Sequence, residues 1–167
     1  KKILGNHVNQ AGAFKDVDKA RIDITHYEPI SPEEIKKIEE TANEIVKKKI
    51  KIIKSFMSRT EAEKKFGMLI YQGGVPIGKN LRIVNIQGVD VEACGGTHLE
   101  NTHDIGKIII ANSERVQDGV IRLTIVAGKA AEKYIDEQNK ILKEIEEITG
   151  AKGEKAVKSS VELFDLW

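Results

Sequence analysis

The chain has 167 residues, 40% of them hydrophobic but only 5% aromatic, which bounds it to one domain, or one domain with an appendage, around an Ile, Val, Leu and Ala core. Charge is high at 32% yet balanced to +1, so no global basic field announces nucleic acid. A single cysteine excludes a disulfide framework and fits a reducing, cytoplasmic setting, and no apolar run nears the ~18 residues of a membrane span.

In chain order, Lys1-Lys2-Ile3-Leu4-Gly5 reads as the last turn of a helix closed by glycine, and both ends of the sequence look like cuts in a longer protein. Residues 7–12 form a short extended or turn segment. Ala20–Tyr27 reads as a strand, with Ile22, Ile24 and His26 alternating against Arg21, Asp23, Thr25 and Tyr27. Ser31-Pro32-Glu33-Glu34 is a helix start with Ser31 as N-cap, Pro32 at N1 and Glu34 closing a capping box, and one apolar face then runs to about residue 49. Ile50–Met57 is a further strand. Ser58-Arg59-Thr60-Glu61 is a second capping box, opening a helix that stops at Gly67.

Gly73-Gly74 and Pro76-Ile77-Gly78 mark loops, and β-rich runs follow at 81–93, 105–112 and 119–127. The expected class is α+β, an antiparallel sheet with helices on one face, followed by a C-terminal helical hairpin or coiled-coil segment. In that segment Tyr134, Gln138, Ile141, Ile145 and Ile148 fall at steps of four and three. Gly150 and Gly153 interrupt the seam, and Val157, Val161 and Phe164 resume it.

The chemistry concentrates in Cys94-Gly95-Gly96-Thr97-His98, a tight loop after a strand. Three readings fit its residue types. The thiol is a small buried hydrophobe beside an ordinary loop histidine, or thiol and imidazole form a catalytic dyad, or both ligate a cation such as zinc. Elsewhere, His103 reads as an exposed turn residue and His26 as a satisfied core histidine. Lys48, Lys49 and Lys51 belong to a basic run that is either a solvated helix end or a phosphate-facing surface. Arg122 lies on a strand among apolar neighbours, where it snorkels or pairs with an anion. Gln10, in a glycine-flanked turn, says nothing by itself.

Together these residues resemble the editing domain of alanyl-tRNA synthetase, a module shared with threonyl-tRNA synthetases and free-standing AlaX proteins. The resemblance runs through Gly5-Asn6-His7-Val8-Asn9-Gln10-Ala11-Gly12, Ala20–Tyr27, Cys94–His98, Thr102–Gly106 and Gly119-Val120-Ile121-Arg122 to Gly128, in wording closest to archaeal members. It implies hydrolysis of tRNA for alanine mischarged with serine or glycine. It also implies a zinc site in which Cys94 and His98 are joined by two histidines of an upstream helix, here ending at Lys1–Leu4. Residues 1–128 would be that domain without its zinc-ligand helix, and 129–167 a helical link toward an oligomerisation region, with a homodimer through the helices. Gln10 matches a family glutamine tied to editing, Thr25 is a candidate hydroxyl partner, and Arg122, Lys48, Lys49 and Lys51 are candidates for contact with substrate or tRNA. Bacterial relatives often carry Gly-Ser where this chain has Gly12-Ala13. The rival readings are an AlaX-type trans-editing deacylase and a tRNA-binding module without catalysis.

Overall fold

The computed structural model describes residues 1–165, and its elements follow from local sequence chemistry. Lys1–Leu4 form one helical turn, closed where the Gly5 N–H donates to the Lys1 carbonyl at 2.8 Å. Strand β1 (Gln10–Lys15) pairs antiparallel with β2 (Ala20–Thr25), with a bulge between Gln10 and Gly12. Helix α1 (Pro32–Lys47) starts as its sequence prescribes. The Ser31 hydroxyl accepts from the Glu34 N–H, and the Glu34 carboxylate accepts from the Ser31 N–H.

Strand β3 (Ile52–Ser58) leads into α2 (Arg59–Phe66), whose cap is half of the expected box: Ser58 accepts from the Glu61 N–H at 3.2 Å. The apolar run at 81–93 is two strands, β4 (Asn80–Ile86) and β5 (Asp90–Ala93), folded at a turn in which Gly88 takes φ +73°. The run expected from residue 105 begins later. Asn101 caps a 3-10 turn over Thr102–Ile105, so β6 spans Ile108–Gln117 and pairs with β7 (Val120–Ala127).

The strands form two antiparallel sheets, in the orders β1-β2-β7-β6 and β3-β4-β5. The α+β class is as expected, with the strands divided between two sheets. Each sheet carries its own core. Val8, Ile24, Ile30, Ile121 and Leu123 gather on the first, with Ile35 and Ile38 of α1 laid against them. Ala62, Ile70, Leu81, Ile83 and Ala93 gather on the second, with Met57 and Phe66. Ile70, Leu81, Ile83 and Ile121 are fully buried, each such side chain contributing about 1.5–3 kcal/mol of transfer free energy.

The chain divides into two compact units, Lys1–Gly128 and the segment from Lys129 onward. In the second, α3 (Lys129–Thr149) and α4 (Glu154–Asp165) contact each other as a helical hairpin. The turn is held where the Gly150 N–H donates to the Glu146 carbonyl and the Gly153 N–H to the Glu146 carboxylate. Ile141, Ile148, Val157, Val161 and Phe164 of the expected seam are all exposed. Among the described residues no helix is long and apolar enough to cross a membrane.

Candidate functional site

The Cys94–His98 loop begins where β5 ends. The Cys94 N–H extends the ladder by donating to the Arg82 carbonyl on β4 at 3.1 Å, and the chain then leaves the sheet. The loop is fastened from the same residue: Arg82 Nη1 donates to the carbonyl oxygens of Cys94 at 2.7 Å and Gly96 at 2.9 Å. His98 Nδ1 lies 2.9 Å from the Gly96 oxygen. A Cβ built on Gly96 would meet Lys15 Nζ at 3.6 Å, Cys94 Sγ at 3.7 Å and His98 Cε1 at 3.9 Å. Thiol, imidazole and ammonium thus border one small space that a side chain at position 96 would fill.

The electrostatics suit a neutral imidazole. Burial pushes the His98 pKa below its ordinary value; its bond to Gly96 opposes this, while the charges of Arg82, Lys15 and Lys54 add to it. Cys94 is a free, half-buried thiol. A thiol and a neutral imidazole converging on a glycine fit one half of a zinc site. No group of three or more His, Cys, Asp and Glu that could hold a metal occurs among the described residues. Beside His98 opens an apolar cavity of about 490 Å³, lined by Ile45, Val46, Ile52, Leu99, Ile105 and Ile108.

Gln10 lines a different cavity, of about 730 Å³, with Lys1, Asn9, Gln72, Asp90 and Glu92 as further polar lining beside Ile22, Ile24 and Ile70. Val89 and Asp90 also line the cavity beside His98, so the two are neighbours, with Gln10 on the one and His98 on the other. The Gln10 N–H donates to Gln72 Oε1 at 3.2 Å, and its side-chain nitrogen lies against Gly73. Glu92, half-buried here, is raised to about 7, first by burial and then by the Asp90 charge. Sequence reading missed Asp90 and Glu92, although the alternation of Val89 and Val91 with them marks two faces.

Thr25 is committed to structure. Its hydroxyl donates to the His7 carbonyl at 2.8 Å and accepts from the Asn9 N–H at 2.9 Å. With its single proton used, it holds the segment leading into Gln10, and a direct bond to substrate is left with one lone pair.

Arg122 is likewise occupied. Its Nε and Nη2 donate to the two carboxylate oxygens of Asp23 at 2.8 and 2.9 Å, so it pairs with an internal anion, which occupies the Nε–Nη2 edge of its fork. Lys48, Lys49 and Lys51 are exposed where α1 turns into β3. The turn is sharp: Lys49 takes φ +52°, and Asn101 Nδ2 donates to its carbonyl.

The other histidines lie apart from Cys94. His26 is buried and stacks on His7, with His7 Nε2 and His26 Nδ1 2.8 Å apart. It is a core histidine, as expected, but its Nε2 has no partner. His103 is exposed on the 3-10 turn. Sequence reading also missed Arg82. The available signal was the hairpin register: Ile83 faces Ala93, which sets Arg82 beside Cys94.

Comparison with known proteins adds sequence evidence to this geometry. Residues 81–124, which contain the Cys94–His98 loop and Arg82, match the threonyl and alanyl tRNA synthetase second additional domain. The whole chain is 46% identical to a segment making up 18% of an alanine–tRNA ligase of Methanopyrus kandleri. It is 48% identical over its whole length to 18% of the corresponding ligase of Methanothrix thermoacetophila. With the ligase of Staphylothermus marinus it shares 50% identity over 92% of the chain and 17% of the relative. The chain therefore spans just under a fifth of the length of these relatives.

Proposed function

We propose that this chain, which resembles along its whole length the segment of alanine–tRNA ligases that carries the second additional domain, hydrolyses the ester of tRNA for alanine mischarged with serine or glycine. The observation carrying this reading is the convergence of Cys94 Sγ and the His98 ring on Gly96 within the matched region. Cys94 and His98 would hold zinc with further ligands from outside this chain. When bound, zinc supplies Lewis acidity toward an ester carbonyl or a water. Water adds to the ester carbonyl, the bond to the ribose oxygen breaks, and that oxygen leaves with a proton.

The chain's own residues bind and orient. Gln10 lines the cavity of about 730 Å³, and its side-chain amide is the candidate donor to the aminoacyl ester or its side chain. Thr25 keeps Asn9 and Gln10 in place through its two hydrogen bonds. Arg122 acts by fixing Asp23 on the neighbouring strand. A site that hydrogen-bonds the serine hydroxyl rejects alanine, which leaves buried polar groups unpaired. That logic accounts for serine. Lys48, Lys49 and Lys51 offer exposed charge to tRNA phosphates. The apolar residues exposed along α3 and α4 suit pairing with a second copy.

The test is Cys94→Ala in a full-length alanine–tRNA ligase carrying this segment. Zinc content by elemental analysis and deacylation of seryl-tRNA for alanine should fall together, with aminoacylation by alanine unchanged. Unchanged zinc would remove Cys94 as a ligand. Full deacylation without zinc would remove the metal from the reaction.

A further inference from the structure

We propose that Arg82 is the positioning residue of the Cys94–His98 half-site: it fixes the loop and, through the Gly96 carbonyl it shares with His98, fixes which His98 nitrogen carries the proton. Hydrogens are limiting at this arginine. Arg82 Nη1 carries two, and it lies 2.7 Å from the Cys94 oxygen and 2.9 Å from the Gly96 oxygen. Both are committed. The 3.3 Å contact of the same nitrogen with His98 Nδ1 is the longest of the three and can only share one of those hydrogens.

His98 Nδ1 lies 2.9 Å from the Gly96 carbonyl, which only accepts. Nδ1 must then carry the proton, and Nε2 keeps its lone pair. An imidazole held through one nitrogen by a backbone carbonyl presents the other for ligation, the arrangement by which outer groups orient metal-binding histidines. The Gly96 oxygen receives Arg82 and His98 at once, so one carbonyl couples the arginine on β4 to the ring orientation.

The arginine also sets the loop's shape. The donors to Cys94 O and Gly96 O sit on one atom, so the two carbonyls must turn toward a common point. That leaves the Cys94 side chain and the His98 ring on the space beside Gly96. Nothing else among the described residues ties these two carbonyls together. Lysine at this position is one bond shorter yet keeps several donors; glutamine is shorter still and uncharged.

The ligation part of the inference rests on the proposed metal reading, and the experiment separates the two. The first measurement needs no metal. Imidazole nitrogen shifts of His98, read by long-range proton–nitrogen correlation on this chain, should report a proton on Nδ1 in the parent and a mixture of tautomers in Arg82→Gln, with Arg82→Lys between them. Melting curves confirm that the variants fold. A single Nδ1–H tautomer retained in folded Arg82→Gln overturns the positioning role.

The second measurement is cobalt titration of a full-length ligase carrying this segment, after zinc removal, followed by the thiolate-to-cobalt charge-transfer band. Arg82→Gln should weaken binding by about 10- to 100-fold, with partial recovery in Arg82→Lys. Affinity within twofold of the parent overturns the claim that Arg82 prepares the ligands. A parent protein that takes up no cobalt refutes the metal reading, while the nitrogen shifts still decide the role of Arg82.

Discussion

Asp23 on β2 and Arg122 on β7 stand directly opposite each other in the strand pairing and are joined by two bonds, of 2.8 and 2.9 Å. The pair ties the second strand of its sheet to the third. Asp23 is held below the usual carboxylate range, first by its hydrogen bond to Arg122, with burial pulling the other way. A carboxyl with a lowered folded pKa binds fewer protons folded than unfolded. Its stabilisation is complete above the unfolded value and is lost as the pH falls through the folded one. Asp23→Asn should therefore lower Tm at neutral pH by a few degrees. The gap to the parent should close on the acid side of the ordinary aspartate range. Calorimetry across that limb checks this, and a gap that stays constant would show that the bond has no linkage to proton binding.

Gly73 governs Gln10. Its φ of +74° is a conformation that side chains rarely take, and a Cβ there would overlap the Gln10 amide nitrogen. Gly73→Ala should cost about 1 kcal/mol of stability through the backbone alone. Gly74→Ala is the matched control, since Gly74 also has a positive φ, of +130°, but faces open space. If Gln10 binds the aminoacyl group, Gly73→Ala should lower deacylation roughly ten- to a hundred-fold while Gly74→Ala changes it little. Equal losses in the two variants would mean that loop strain is responsible, and Gln10 placement is not.

What the sequence disclosed about this molecule follows the range of the interactions involved. The Ser31–Glu34 cap was legible because both partners lie within one turn. Cys94 and His98 were legible as a unit because two glycines and four positions of spacing bring them together locally. Arg82 was hidden because its bonds to Cys94 and Gly96 exist only once β4 and β5 fold onto each other at Gly88. The same holds for Arg122, whose partner lies 99 residues earlier and is fixed by strand register. The division into two sheets was equally out of reach, since alternation marks a strand's faces and not its neighbours.

Thr25 offers a test that separates positioning from contact. Thr25→Val keeps shape and volume but removes the hydroxyl that joins the His7 carbonyl to the Asn9 N–H. The Asn9 N–H loses this partner, at a cost of about 1 kcal/mol. Thr25→Ser restores the hydroxyl and should recover stability and deacylation together. Should serine restore the melting temperature but not deacylation, the threonine methyl would be making the functional contact.

The lysine turn makes a prediction in salt dependence. Lys48, Lys49 and Lys51 are exposed, and Lys49 carries a left-handed backbone at φ +52°. Glycine relieves that conformation, so Lys49→Gly removes a charge while stability stays level or rises by up to about 1 kcal/mol. Any loss of tRNA affinity in this variant is then not a folding defect. Each lysine that neutralises a phosphate releases counterions, worth about 0.7–0.9 in the slope of log affinity against log salt. Combining Lys48→Gln, Lys49→Gly and Lys51→Gln should flatten that slope by about 2–3 if all three contact phosphates. The drop should be uniform across tRNA sequences, because phosphate contacts carry no base information. An unchanged slope in the triple variant would make this turn a solvated helix end and move the tRNA surface elsewhere.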